Sequence, residues 1–268
     1  MFKDKVVVIT GAGSGIGRAL AIQMAEAGAR LAISDVNRAG LDETLRLLPG
    51  SQASGLRARG YILDVSSWEA VSAHAEEVKR DFGTVHILIN NAGATVVGTV
   101  ANTSIEEFEW LLGINLSGTL YGTKAFLPTM LEQREGCIVN ISSIFGLISC
   151  PCQSAYNMSK FAVRGLTECL WSELEGTGVH ALCVHPGGIR TNIENDSRRC
   201  KAGGALEDTF SAKAAKLLTT PPEVCAADII NGIRKRKRRV HTGNLSRTIF
   251  WMSRLFPNSY PAFLKLMG

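Results

Sequence analysis

Tyr156-Asn-Met-Ser-Lys160 sets a phenol and an ammonium four residues apart, so on a helix both project from one face and can serve one site. A free phenol titrates near pH 10, and a neighbouring cation draws it toward phenolate. A phenolate can take the proton of an alcohol whose carbon gives up hydride, and the phenol can return it. Ser142 and Ser143 close an apolar run, and either could hydrogen-bond the reacting oxygen and steady charge as it develops.

A second cluster binds. In Thr10-Gly-Ala-Gly-Ser-Gly-Ile-Gly17, Gly11, Gly15 and Gly17 permit a tight turn, close approach to a pyrophosphate and close helix-to-strand packing. Ser14 lies inside the turn, where exposed N–H groups and a helix dipole favour an anion. Asp35, 18 residues beyond Gly17, can accept both ribose hydroxyls of an adenosine and would repel a 2′-phosphate. NAD is therefore expected over NADP, with Arg38 close enough to keep NADP possible.

These groups need a frame. Short apolar runs at 6–9, 30–34, 60–63, 85–89, 137–141 and 179–184 are candidate buried strands, and 240–243 a last one. Helical spacing separates them: Ile16, Leu20 and Met24 share a face, as do Leu41, Leu45 and Leu48, and Val71, Ala75, Val78 and Phe82. Strand and helix in alternation predict an α/β fold, a doubly wound parallel Rossmann sheet in one domain over 1–243 with helices on both faces. Its ligands belong at strand C-terminal ends, which is where the glycine turn, Asn90-Asn-Ala-Gly93, the serine pair and Pro186-Gly187 all fall.

The chain has 268 residues, 46% hydrophobic and 20% charged, with a net charge of +5 and a mean hydropathy of +0.10. Such a chain should bury roughly 70 to 75 per cent of its extended surface, which excludes a disordered or collagenous protein. The small positive excess calls for no nucleic acid. Seven dispersed cysteines are no disulfide framework, and with no signal peptide in evidence a reducing, cytoplasmic setting is expected. Cys150 and Cys152 are read as loop thiols and no metal is expected. No window is long and apolar enough to span a membrane.

Together the motifs resemble the short-chain dehydrogenase/reductase family over residues 5–191. Thr10 to Gly17 is similar to its cofactor turn, Asp64 to its residue near the adenine, Asn90 to Gly93 to its motif after the fourth strand, and Tyr156 with Lys160 to its Tyr-x-x-x-Lys. Ser143 and Asn115 precede Tyr156 by 13 and 41 residues, the family's spacings for its serine and asparagine. The resemblance implies an alcohol dehydrogenase or carbonyl reductase acting on a small-molecule alcohol or ketone. Tyr156 would be the acid and base, Ser143 would hold the substrate oxygen, and Lys160 would favour phenolate and grip the nicotinamide ribose. Asn115 would interrupt the helix expected over 108–130 and anchor a water leading from Lys160 to solvent.

The same resemblance implies cofactor contacts from Ile16 at the pyrophosphate, Val65 near the adenine, and Asn91, Ala92 and Gly93 along the ribose. Pro186 and Gly187 would lie beneath the nicotinamide, with Ile189 and Thr191 at its carboxamide. It also implies a homotetramer or dimer with interfaces on 108–130 and 156–175. His185 is read as a packing residue beside the turn. The alternatives are a nucleotide-binding regulator without turnover, which the filled Ser143, Tyr156 and Lys160 disfavour, and a membrane-surface reductase of acyl or lipid substrates.

A substrate lid is expected at 194–220, with Arg198, Arg199 and Lys201 as solvated charge, and an apolar pocket wall at 144–154 with Phe145, Leu147 and Ile148. Residues 234–239 are six consecutive cations, expected at a solvated helix end after 222–233. The apolar and basic extension 244–268, including Trp251, Leu255 and Phe263, must pack over the substrate entrance, against a second subunit, or on a membrane surface.

Overall fold

A computed structural model describes residues 1–49, 57–191 and 198–262. In chain order the elements are β1 (Val6–Thr10), α1 (Gly15–Glu26), β2 (Arg30–Asp35), α2 (Arg38–Leu47), β3 (Ala58–Ile62), α3 (Trp68–Phe82), β4 (Ile87–Asn90), β5 (Val96–Val97), α4 (Ile105–Leu112), α5 (Gly118–Glu132), β6 (Gly136–Ile141), α6 (Ser154–Glu173), β7 (Val179–Pro186), β8 (Arg198–Arg199), α7 (Ala205–Leu217), α8 (Pro222–Arg234), β9 (Arg239–Thr242) and α9 (Ser246–Leu255). Seven strands form a parallel sheet in the order β3-β2-β1-β4-β6-β7-β9. The chain winds outward from β1 through β2 and β3, then returns to start again at β4, so a crevice opens at the C-terminal ends of β1 and β4.

Side-chain alternation builds both layers. Val7 and Ile9 of β1 point into one core with Leu20 and Met24 of α1, Leu41 of α2 and Ile229 and Ile233 of α8. Val6 and Val8 point into the other, with Val78 and Phe82 of α3, Phe126 and Met130 of α5 and Leu170 of α6. Because both faces are buried, β1, β4 and β6 read as largely apolar runs rather than alternating ones. Helices α2, α3 and α4 are capped locally: Asn37 accepts from the Gly40 N–H and Ser67 from the Ala70 N–H, both at 3.1 Å, and Ser104 forms a reciprocal capping box with Glu107.

The expected doubly wound fold is the one observed, with shifted boundaries. β3 starts at Ala58 and includes Gly60, where an added Cβ would lie 2.8 Å from Leu45 Cδ1, so α2 lies close because this strand residue has no side chain. The helix expected over 108–130 is α4, a wide π-type turn at Gly113–Ser117 and α5, with Asn115 inside the turn. The small sheet joining β5 to β8 had no expectation. Of the expected lid, 194–197 lie outside the described residues, as do 263–268 of the extension, Phe263 among them.

Candidate active site

At the crevice the turns after β1 and β4 are stitched together. The Thr10 hydroxyl accepts from the N–H groups of Asn91 and Ala92 at 3.0 Å each, while the Asn91 side-chain amide donates to the carbonyls of Thr10 at 2.9 Å and Gly11 at 3.0 Å. Gly11 has φ +64°, and an added Cβ would sit 2.7 Å from Ala92 Cα. Gly15 has φ +52° beneath the side chain of Thr191, and a Cβ on Gly17 would be driven into the Gly11 carbonyl. The backbone is thus packed to contact, which keeps the start of α1 open.

No side chain caps α1 at Ser14 and its first turn carries no acid, so its leading N–H groups suit a phosphate. Asp35 closes the far side: Oδ2 accepts from the Gly13 N–H at 2.8 Å and Oδ1 from the Asn37 N–H at 2.9 Å. Arg18 is spent on the carbonyls of Gly13 and Gly40 and on Thr44 Oγ1. A dinucleotide fits this donor set. Asp64 Oδ1 accepts from the backbone and hydroxyl of Ser66 at 2.9 and 2.7 Å, and Val65 is buried against Gly118. Both stand beyond the C-terminal end of β3, on the side of the crevice beside Asp35.

The candidate catalytic residues gather next to this cradle. The Ser142 hydroxyl donates to the Lys160 carbonyl at 2.8 Å, fastening the end of β6 to α6. The neighbouring Ser143 faces the other way, and its Oγ accepts from the Phe145 N–H at 3.1 Å. That separates the two candidates: Ser142 is consumed by structure. Lys160 is buried, and its ammonium donates to the Ile141 carbonyl at 2.9 Å and lies 5.5 Å from the centre of the Tyr156 ring. The Phe145 ring stands edge-on to Tyr156 at 6.2 Å. Gly93 makes room, since a Cβ there would come within 3.5 Å of Lys160 Nζ and 3.3 Å of Asn115 Oδ1.

Asn115 is fully buried; it accepts from the Ala94 N–H at 2.8 Å and donates to the Ala94 carbonyl and to Ser159 Oγ, each at 3.0 Å. It ties the loop after β4 to α6, a role visible beside the water contact implied for it. Among the organisers, Asn157 and Asn140 carried no legible signal. Asn157 donates to the carbonyls of Phe145 and Ile148 and accepts from the Cys150 N–H, fixing the wall beside Tyr156. Asn90 donates to Asn140, and Asn140 in turn to Thr167, bracing β4, β6 and α6. Gly187 donates to the Thr242 carbonyl at 2.8 Å, and a Cβ on it would strike the Asn244 carbonyl, so Pro186 and Gly187 turn tightly, with buried Ile189 beyond them.

Burial draws the Lys160 ammonium from 10.5 down to about 8, so it remains cationic at neutral pH. The unfolded chain keeps this proton up to pH 10.5 while the folded chain releases it near 8. Between those values the unfolded state binds more protons and stability rises with pH; the penalty is complete below the lower value and absent above the upper. Lys160→Met removes it. In urea unfolding, the variant's gain over wild type should be larger at about pH 7.5 than at about pH 9.5, by about 2 kcal/mol. Equal differences at both would contradict a buried cation.

The cations at 198–201 are exposed and partly engaged. Arg198 stacks on the Trp110 ring at 3.6 Å and Arg199 pairs with Asp208, so these two cations, exposed as expected, also tie the segment to α4 and α7. Glu207 is buried and accepts from the N–H groups of Thr99 and Gly204 and from the Asn102 amide, which hold its carboxyl down at about 2. This latch had no legible signal, because Gly204 replaces the usual capping serine. In the basic run, α8 ends at Arg234 and residues 234–238 are exposed, while Arg239 opens β9 and pairs with Glu168.

The described part of the extension, 244–262, packs on the segment 144–149. Ile249 packs against Leu147 and Ile148 with Phe250, Met252 and Tyr260 nearby, and the Tyr260 hydroxyl accepts from the Ser149 N–H at 3.1 Å. All seven cysteines are free thiols, and among the described residues no group of three or more His, Cys, Asp or Glu side chains could hold a metal. Among those residues no helix is long and apolar enough to cross a membrane.

Comparison with known proteins finds likenesses throughout. The family model described as short chain dehydrogenase matches residues 5–202. SadH of Mycobacterium tuberculosis, an oxidoreductase by name, is 44% identical over 262 residues, covering 97% of this chain and 93% of that one. Estradiol 17-beta-dehydrogenase 11 of Macaca fascicularis is 32% identical over 267 residues, covering 97% and 82%. A solved short chain dehydrogenase/reductase from Burkholderia phymatum in complex with NAD superposes with a TM-score of 0.87 at 31% identity, covering 97% of this chain and 95% of that chain.

Proposed function

Since the chain belongs to the short-chain dehydrogenase family of oxidoreductases, we propose that it interconverts a secondary alcohol and the matching ketone, or an aldehyde counterpart, using a nicotinamide dinucleotide. The observation that carries this reading is the gathering of Ser143, Tyr156 and buried cationic Lys160 beside a glycine turn shaped for a pyrophosphate. When bound, the nicotinamide ring supplies the hydride acceptor or donor. Tyr156 takes the hydroxyl proton in oxidation and returns it in reduction. Lys160 holds the phenol toward its anion by proximity, and Ser143 Oγ orients the substrate oxygen. Ile16, Asn91, Ala92, Gly93, Ile189 and Thr191 complete the binding surface, and residues 198–220 with α9 wall the substrate space.

An apolar substrate is favoured by Phe145 beside Tyr156 and by the Leu147, Ile148 and Ile249 cluster behind the wall. The related dehydrogenase from Macaca fascicularis has estradiol, an apolar secondary alcohol, in its name. Exposed Leu120 on α5 and Met158 and Phe161 on α6 support a homo-oligomer closed by these helices. The test is the absorbance of reduced nicotinamide against a panel of apolar secondary alcohols and ketones with both dinucleotides. Turnover of at least one pair supports the reading; a folded, dinucleotide-binding chain inert toward the whole panel opposes it.

NAD is the preferred coenzyme because the Asp35 carboxylate faces the turn and Arg18 is already engaged. Asp35→Ser should raise kcat/KM with NADP relative to NAD by at least roughly tenfold, about 1.4 kcal/mol. An unchanged ratio would remove Asp35 from coenzyme selection.

A further inference from the structure

We infer that His185 is a positioning residue for the reactive serine: its ring N–H holds the backbone at Ser143 and thereby aims the Ser143 hydroxyl, an inference that rests on the role given to Ser143 above. His185 is fully buried near the end of β7, and Nδ1 lies 3.0 Å from the Ser143 carbonyl. A carbonyl oxygen only accepts, so the proton must sit on Nδ1. Burial lowers the imidazole to about 3, so at working pH the ring is neutral and its one N–H is committed to Ser143. Nε2 has no partner among the described residues.

The ring is stacked on one face and its backbone is tied down. It stacks on His241 of β9 at 5.3 Å and 16°, His241 packs on Phe250 of α9 at 4.4 Å, and the Ser246 hydroxyl donates to the His185 carbonyl at 2.6 Å. The extension thus reaches Ser143 through two stacked imidazoles, His241 and His185. A leucine would fill the same interior without leaving a bare ring nitrogen; what it lacks is the donor. Ser143 has extended backbone, with φ −167° and ψ 168°, immediately before the short turn Ile144–Gly146. Loss of the His185 bond frees this junction to rotate, and a shift of about 1 Å at an orienting hydroxyl can cost up to roughly a hundredfold in rate.

The test compares the full-length wild type with His185→Leu, His185→Asn and His185→Gln, each with and without Ser143→Ala, on the best alcohol of the panel with NAD. Asparagine places an amide N–H near the position of Nδ1, whereas glutamine carries it one methylene further out. We expect H185L and H185Q to lose at least roughly tenfold in kcat, with the NAD dissociation constant within about twofold, and H185N to recover most of the loss. In the S143A background, H185L should add less than about twofold, because no hydroxyl remains to be aimed. Crystal structures should find Ser143 Oγ displaced in H185L or H185Q and restored in H185N, a readout independent of turnover and available from H185Q if H185L does not fold.

Wild-type kcat in both H185L and H185Q, equal loss in H185N and H185Q, losses that multiply with S143A, or an unmoved Ser143 would each overturn the inference. If S143A itself turns over normally, the reading of the site fails instead; if S143A is disabled while H185Q is not, only the role of His185 fails.

Discussion

Tyr156→Phe should lower kcat/KM for alcohol oxidation at least roughly a hundredfold, about 2.7 kcal/mol in transition-state stabilisation, with the dissociation constant for NAD within about twofold of wild type. Only an oxygen is removed. The ring keeps its perpendicular contact with Phe145 and its place 5.5 Å from Lys160 Nζ, so the wall beside the site should not collapse. Lys160 stays tied to the Ile141 carbonyl and the serine turn to α6 through Ser142. A large loss in kcat at constant NAD affinity therefore isolates proton transfer, and the loss should appear in both directions because one hydroxyl serves as base and acid. Stopped-flow turnover with titration of NAD separates the two quantities. A variant that turns over within about threefold of wild type would remove Tyr156 from the chemistry.

Gly17→Ala should weaken NAD binding at least roughly tenfold, about 1.4 kcal/mol, as measured by isothermal titration. The helical backbone at Gly17 tolerates alanine, but the new methyl is driven into the Gly11 carbonyl and meets the Asn91 side-chain nitrogen at 2.6 Å. Neither can yield cheaply. Gly11 is itself wedged against Ala92, and Asn91 is bonded to the carbonyls of Thr10 and Gly11, so the turn must open and its N–H groups lose their aim at a pyrophosphate. Gly165→Ala, which meets nothing within 4 Å on α6, is the control and should bind as wild type does. Equal affinity in all three chains would mean that the turn is structural only.

The elements that read clearly in the sequence are those whose residue types have a local cause. β1, β6 and β7 are buried on both faces, so their apolar runs are continuous and hard to mistake. Gly11 and Gly15 are glycine because the chain there has positive φ. Ser143 and Ser142 were separable only by family spacing, since two adjacent serines have the same chemistry until one is seen bonded to the Lys160 carbonyl. Pairing at a distance was not legible. β5 and β8 are two residues each, too short for any periodicity, and they meet about a hundred residues apart in the chain.

The same limit hides Glu207, Asn157 and His185, whose partners lie on other elements or loops: Glu207 reaches Thr99 and Asn102, Asn157 reaches Phe145, and His185 reaches Ser143. The partners of the exposed Arg198 and Arg199 are hidden for a related reason. A cation's partner, here the Trp110 ring and Asp208, does not show in the cation's own neighbourhood of sequence. The placement of residues 244–262 against the segment 144–149 likewise depends on Ile249 and Tyr260 meeting Ile148 and Ser149 across the fold.

The most direct measurement is a crystal structure of the chain with NAD bound. The account predicts the pyrophosphate at the start of α1, and the hydroxyls of Tyr156 and Ser143 converging on a point about 3 Å from each, beside the reactive edge of the nicotinamide. A Tyr156 hydroxyl turned away from that edge, farther than about two hydrogen-bond lengths, would contradict it.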